Sequence, residues 1–194
     1  MALGVIKTRQ IVFIAALLGL LTLLIAAGPA AQSASAGACN LWGGKQSTQI
    51  TQKQAREAVL CLLNRERNQR GLKDLNRSRK LQVAAQNHNA YMQDKHCFSH
   101  QCPGEPSLTV RLQRVGWLTG GLTGWAYGEN IAWGAGKLGT PAKIVDQWMN
   151  SSGHRANILS SRFDQVGVGY TKGTISSKNA NGAIMTTDFG WKTR

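Results

Sequence analysis

The sequence predicts an α+β domain in which helices cover a small antiparallel sheet. Three observations predict it. Apolar residues recur at helical spacing as far as residue 116, two C-terminal runs alternate in hydrophobicity, and a glycine-bounded turn at 173–182 joins those runs. The order is three helices, a strand, a fourth helix and a closing hairpin.

The first helix starts at Gln52, with Ala55, Val59, Leu62 and Leu63 on one face and Gly71 as its stop. Ser78 is the N-cap of the second. Its inner stripe is Leu81, Ala84, Ala85, His88 and Met92, which makes His88 a hydrogen-bonded core histidine. Ser107 caps a shorter third helix with Val110, Leu112 and Val115 toward the core, ended by Gly116. The Gly- and Thr-rich stretch Trp117 to Tyr127 reads as a loop, and Glu129 to Trp133 as a short strand. Pro141 suits the first turn of a fourth helix carrying Ile144, Val145 and Trp148, which stops near Ser151-Ser152-Gly153. Val166, Val168 and Tyr170 alternate with small residues in one hairpin strand, and residues 183–191 supply the other.

Residues 1–36 have the layout of an export signal. Lys7 and Arg9 precede an unbroken apolar run from Ile11 to Ala27, and Ala34-Ser35-Ala36 matches a small-residue cleavage site. Cleavage there starts the mature chain at Gly37, leaving a polar tail at 37–50 and one domain at 51–194. The alternative is an uncleaved N-terminal anchor that holds the domain outside the membrane. No second apolar stretch approaches membrane length, so the cleaved chain has no membrane span.

The whole chain carries a formal charge of +14. Without Lys7 and Arg9 it keeps 21 basic residues against 9 acidic ones, a charge of +12. Arg65, Arg67, Arg70, Lys73, Arg77, Arg79 and Lys80 crowd one stretch, read as a solvated helix face and turn. The functional reading of that excess is attraction to an anionic envelope surface. No aromatic residue interleaves the cluster, so specific nucleic-acid binding by base stacking has no support.

Cys39, Cys61, Cys97 and Cys102 form an even set in an exported chain, which argues for disulfides. Three pairings are open. Cys97 and Cys102 bracket a tight segment ending in Pro103-Gly104, where a local bridge is natural, and this leaves Cys39 for Cys61. Loop entropy alone gives roughly 2 kcal/mol for the local bridge and roughly 3.5 kcal/mol for the longer one. A zinc site built from His96, Cys97, His100 and Cys102 is the competing reading. Asn76 and Asn150 open sequon triplets of the kind that arise by chance.

Three short stretches stand out chemically. They are Phe98-Ser99-His100, Gly128-Glu129-Asn130-Ile131, and Gly153-His154-Arg155-Ala156-Asn157-Ile158-Leu159. With Leu63-Asn64-Arg65-Glu66-Arg67 before them and Val166-Gly167-Val168-Gly169 after, residues 56–191 resemble the CAP superfamily in its compact bacterial form (cysteine-rich secretory proteins, antigen 5, pathogenesis-related 1). The resemblance implies an α-β-α sandwich with an open cleft, in which two histidines and two acidic residues can hold a divalent cation. Carried over, the histidines are His100 and His154, and one acidic residue is Glu129. Ser151 stands where the second acidic residue is expected.

Two imidazoles and one carboxylate make a three-ligand site that suits zinc better than an oxygen-preferring ion. No organic cofactor is implied. Asn130, Arg155 and Asn157 are expected to tie the turn after His154 and the strand start together.

The expected function is that of a secreted binding module. Its cleft would take a lipid, glycan or anionic envelope ligand, and Trp117, Trp125, Tyr127 and Trp133 could wall it. The alternative is a metal-assisted extracellular hydrolase acting on peptide or cell-wall bonds, with Glu129 and His154 catalytic and Ser151 or Ser99 as a hydroxyl donor.

Overall fold

A computed structural model describes residues 37–194, so the leader, its cleavage site and the anchor alternative lie outside the described residues. In chain order the elements are α1 (Gln52–Asn68), β1 (Asn76–Arg77), α2 (Arg79–Asp94), α3 (Leu108–Arg114), β2 (Gly124–Ala135), a single 3-10 turn (Gly136–Gly139), α4 (Pro141–Asn150), α5 (Ser152–Leu159), β3 (Gln165–Lys172) and β4 (Gly182–Thr193). The strands form one sheet in the order β1-β3-β4-β2. β4 is antiparallel to both neighbours, whereas the two-residue β1 runs parallel to β3. The sheet is therefore mixed, not purely antiparallel. The parallel edge arises because β1 is only the link between α1 and α2, laid along β3.

The helix starts follow their caps. Thr51 and Gln54 form a reciprocal capping box on α1, and Ser78, Ser107 and Thr140 each accept from a backbone N–H in the first turn of α2, α3 and α4. The sheet then separates two packed layers. One joins Val59, Leu62 and Leu63 of α1 to Ile144 and Trp148 of α4, Ile158 of α5, and Val166, Val168 and Phe189 of the sheet. The other face packs Leu81 and Ala84 of α2 with Leu112 and Trp117. This is the α-β-α sandwich, with α1, α4 and α5 on one side and α2 and α3 on the other.

Glycine makes the second layer possible. A Cβ at Gly167 would lie 2.0 Å from the Gln82 amide nitrogen, and one at Gly169 would lie 2.6 Å from the Ala85 backbone. α2 thus rests directly on the backbone of β3, and the Val166-Gly167-Val168-Gly169 run alternates core side chains with helix contact.

Two segments are more ordered than the sequence suggests. Residues 37–42 are helical and Ile50 is buried. Cys39 is bridged to Cys61, and the Ala142 amide donates to the Gly43 carbonyl at 2.8 Å. The segment 37–50 is packed rather than a free tail. The expected loop at Trp117 to Tyr127 turns into strand at Gly124, because β4 runs on to Thr193 and pairs with β2 residue by residue from Gly124↔Thr193 to Ala135↔Gly182. The second disulfide joins Cys97 to Cys102, so both bridges have the expected pairing.

Arg67 leaves the basic surface cluster altogether. It is buried, and its guanidinium donates to the carbonyls of Lys73 (2.8 Å), Ile158 (2.7 Å), Ser160 (2.9 Å) and Phe163 (3.2 Å). These charge-assisted bonds replace its water shell and tie α1 to the end of α5.

Candidate functional site

β2 is an edge strand, and the site is built along it. Side chains at alternate positions share a face, so Glu129 points to the α2 and α3 side together with Tyr127 and Ile131. His100 arrives on the loop after α2, which the Cys97–Cys102 bridge pins beside the strand. Its Nδ1 donates to Glu129 Oε1 at 2.8 Å. The imidazole is 58% exposed while the carboxylate beneath it is 2% exposed, so the pair forms a floor and a rim.

Arg111 of α3 completes the floor. Its Nη1 lies 3.0 Å from Glu129 Oε2, and its Nη2 donates to Glu129 Oε1 at 3.2 Å and to the His100 carbonyl at 2.9 Å. Burial pushes the Glu129 carboxyl up, but the His100 hydrogen bond and the Arg111 charge outweigh that and hold it below its ordinary range. Glu129 is therefore a carboxylate that is hydrogen-bonded through Oε1 and ion-paired with Arg111 through Oε2.

Behind it the charge continues inward. His88 Nδ1 donates to Glu105 Oε1 at 2.7 Å, and its Nε2 lies 3.9 Å from Glu129 Oε1. The Cys102 amide donates to Glu105 Oε2 at 3.2 Å. Burial holds His88 below its usual pKa, so the ring is a neutral core histidine, as its place on the inner stripe of α2 suggests. Asp188 stands directly opposite Glu129 in the β2–β4 register and is completely buried. Burial first, and the Glu129 charge second, push its carboxyl far above the ordinary value. Asp188 therefore keeps its proton well above the usual carboxylate range.

His154 approaches from the other side of the strand. α4 ends at Asn150 and a new helix, α5, starts at Ser152, so His154 lies inside α5. Asn130 Nδ2 donates to the His154 carbonyl at 3.0 Å. Asn157 Nδ2 donates to the Glu129 carbonyl at 3.2 Å and to Asn130 Oδ1 at 2.9 Å, and Trp148 Nε1 donates to the Ile131 carbonyl at 3.1 Å. These side chains satisfy the outer carbonyls of the edge strand and place His154 against it. Arg155 instead ties α5 back to the Met149 carbonyl of α4, not to the sheet.

The His154 ring is held below its usual pKa by partial burial and then by the neighbouring His100. It opens on a cavity of about 250 Å³ lined by Phe98, Ile131, Trp133, Trp148 and Ser151. Of the four aromatic residues expected to wall the cleft, Trp133 does so. Trp117 is buried in the core and donates to Gln165, and Trp125 stacks on Tyr127 with ring centroids 5.5 Å apart.

The donor set bears on a cation. Among the described residues, no group of three or more His, Cys, Asp or Glu side chains is arranged to hold a metal ion. As a first ligand Glu129 would have to give up Arg111 or His100, and the guanidinium places positive charge where a cation would sit. The three-ligand set His100, Glu129 and His154 does not fit in this arrangement. The competing zinc set fails more simply, because Cys97 and Cys102 are bridged and His96 Nδ1 donates to the Ile175 carbonyl. Ser99 Oγ accepts from the Gln101 amide, and Ser151 makes no side-chain cap bond.

Sequence reasoning missed Arg111, Glu105 and Asp188. Arg111 sits between the apolar Val110 and Leu112, and Asp188 is a lone acid in a strand that otherwise reads as core. An ionisable residue at a buried position is the signal that both carried.

A model of the cysteine-rich secretory protein family matches residues 60–187. The uncharacterized protein YkwD of Bacillus subtilis is 37% identical over 133 residues, covering 68% of this chain and 45% of YkwD. The uncharacterized membrane protein YlbC of the same organism is 32% identical over 118 residues, 61% of this chain and 32% of that one. The chain thus spans less than half the length of these curated relatives. Among solved structures, an SCP-domain extracellular protein of Bacillus anthracis superposes with a TM-score of 0.55 at 26% identity, covering 75% of this chain and 44% of that one. An outer surface protein of Borrelia burgdorferi reaches 0.61 at 17% identity, covering 77% of this chain and 99% of that one, a likeness of fold alone.

Proposed function

Because this chain belongs to the cysteine-rich secretory protein family, we propose that it works outside the cell as a binding module, holding a cell-envelope ligand in the cleft between His100 and His154. The observation that carries this reading is the Glu129 carboxylate, fixed on the floor by Arg111 and bonded to His100 Nδ1. A carboxylate in that position orients an imidazole and leaves its Nε2 free to meet a ligand. Phe98, Trp133 and Trp148 give the same cleft an apolar wall. The extracellular character of the similar Bacillus anthracis protein, together with two disulfides, supports the location.

The hydrolase reading loses ground on the same geometry. A general base must be free to take a proton, and Glu129 accepts from His100 through Oε1, is ion-paired with Arg111 through Oε2, and is held below its ordinary pKa.

Co-sedimentation of the purified protein with isolated bacterial cell walls tests the proposal. The expected result is saturable capture that falls at least tenfold in the His100→Ala/His154→Ala variant, with no soluble wall fragments released. Equal capture by both proteins would remove the cleft from the account. Release of fragments that depends on Glu129 would restore the hydrolase.

A further inference from the structure

Both ends of the cleft carry exposed aromatic rings on one strand. Trp125, Tyr127, Glu129, Ile131 and Trp133 occupy alternate positions of β2 and share its face toward α2 and α3. Trp125 is 51% exposed and lies nearly parallel to Tyr127, with 7° between the rings. Eight residues further on, Trp133 is 40% exposed and shares its cavity wall with Phe98, itself 46% exposed. At the strand rise the two tryptophans stand roughly 26 Å apart, with His100 and Glu129 between them. Exposed large aromatics at both ends of a polar centre form an elongated platform rather than a closed pocket.

The Trp125 end is also cationic. Trp125 faces Lys192 across the β2–β4 ladder. Lys192 Nζ donates to the Trp117 carbonyl at 2.6 Å and lies 5.1 Å from the Trp117 ring centroid, while Lys80 Nζ donates to the adjacent Gly116 carbonyl at 2.7 Å. The two ammonium groups therefore converge on one turn, close to the exposed C-terminal Arg194. Burial first, then Lys80 and Arg194, hold Lys192 below its usual pKa. None of the ion pairs among the described residues includes Lys80, Lys192 or Arg194.

We propose that β2 is the bed for a linear, carboxylate-bearing glycan chain, which stacks sugar faces on Trp125 and Trp133, crosses His100 between them, and places acidic groups against Lys80, Lys192 and Arg194. Flat apolar sugar faces suit exposed rings, and only an oligomer reaches both. The inference rests on the reading of the cleft as a binding site and names the class of ligand that it takes.

Calorimetric titration with hyaluronan oligosaccharides of increasing length tests it, with neutral chitin oligosaccharides as the uncharged ladder. Affinity should rise with length until both tryptophans are spanned and then level off, and the charged ladder should bind more tightly at low salt. Trp125→Ala and Trp133→Ala should each weaken the longest oligomer roughly tenfold, the upper range for one aromatic contact. Trp125→Tyr and Trp133→Tyr should keep most of the binding, which separates stacking from loss of fold.

Length-independent affinity, or affinity indifferent to both tryptophans, would overturn the glycan bed while His-dependent binding of short oligomers left the cleft reading intact. Binding unchanged in His100→Ala/His154→Ala would instead overturn the cleft reading itself. Trp-dependent binding of phosphatidylglycerol vesicles with none of the oligosaccharides would replace the glycan by a membrane surface.

Discussion

Replacing Arg111 by methionine should cost the fold about 3–5 kcal/mol, the usual cost of removing one partner from a buried ion pair. Arg111 is 7% exposed, and its guanidinium is the cationic partner of both Glu129, at 3.0 Å, and Glu105, at 3.9 Å. Methionine fills much the same space but leaves two carboxylates without a counter-charge in a dry interior. For a domain of this size the loss corresponds to a fall of roughly 10–15 °C in Tm. The double variant Arg111→Met/Glu129→Gln should recover part of that loss, because it removes the stranded charge along with its partner. Thermal unfolding of the three proteins checks both statements. A melting temperature for Arg111→Met within a degree or two of the parent would mean that the charges beneath His100 are solvated.

Asp188→Asn should have the opposite sign, and its effect should grow with pH. The folded carboxyl of Asp188 is pushed far above its usual 3.8, by burial and then by Glu129. Its contribution to stability is therefore complete below the usual carboxylate range and is lost as the pH rises toward the folded value. In that window the unfolded chain releases a proton that the folded chain keeps, which favours unfolding by about 1.4 kcal/mol for each pH unit. Asparagine carries no such proton and presents a neutral N–H donor to the same pocket. Denaturant unfolding should find the variant and the parent similar near pH 4 and the variant increasingly the more stable toward neutrality. Glu129 works in the other direction: its depressed pKa supports the fold above the usual carboxylate range and is lost in acid. A difference between variant and parent that stays flat with pH would mean that Asp188 is ionised in the fold.

Much of the architecture was legible because it rests on local signals. Ser78, Ser107 and Pro141 mark real helix starts, and the alternation around 173–182 marks a real hairpin. The cysteine spacing led to the observed bridges for the same reason. What escaped was set by tertiary contact. Gly124 to Tyr127 looks like loop by composition, yet it is strand because the far end of β4 is there to pair with it. Arg67 looks like one more charge in a basic run, and only the carbonyls of Ile158, Ser160 and Phe163, about ninety residues away, draw it inside.

The site divides in the same way. His100, Glu129 and His154 stand in short stretches whose residue types announce chemistry. Arg111, Glu105 and Asp188 decide what that chemistry can be, and each comes from a segment that reads as ordinary helix, turn or core strand. Glu129 changes its role once they are in view. By sequence it is a cation ligand or a base; with Arg111 on one side and Asp188 opposite, it is the group that aims His100.

That assignment is the centre of the account, and proton–nitrogen correlation spectra of the imidazole rings test it most directly, with His100 identified by its loss in His100→Ala. The account predicts a proton on His100 Nδ1, a bare Nε2 in the neutral ring, and wall fragments that perturb Nε2 while leaving Nδ1 bonded. A His100 ring with its proton on Nε2 and a bare Nδ1 would contradict it, because Glu129 would then not be holding the histidine that the cleft presents.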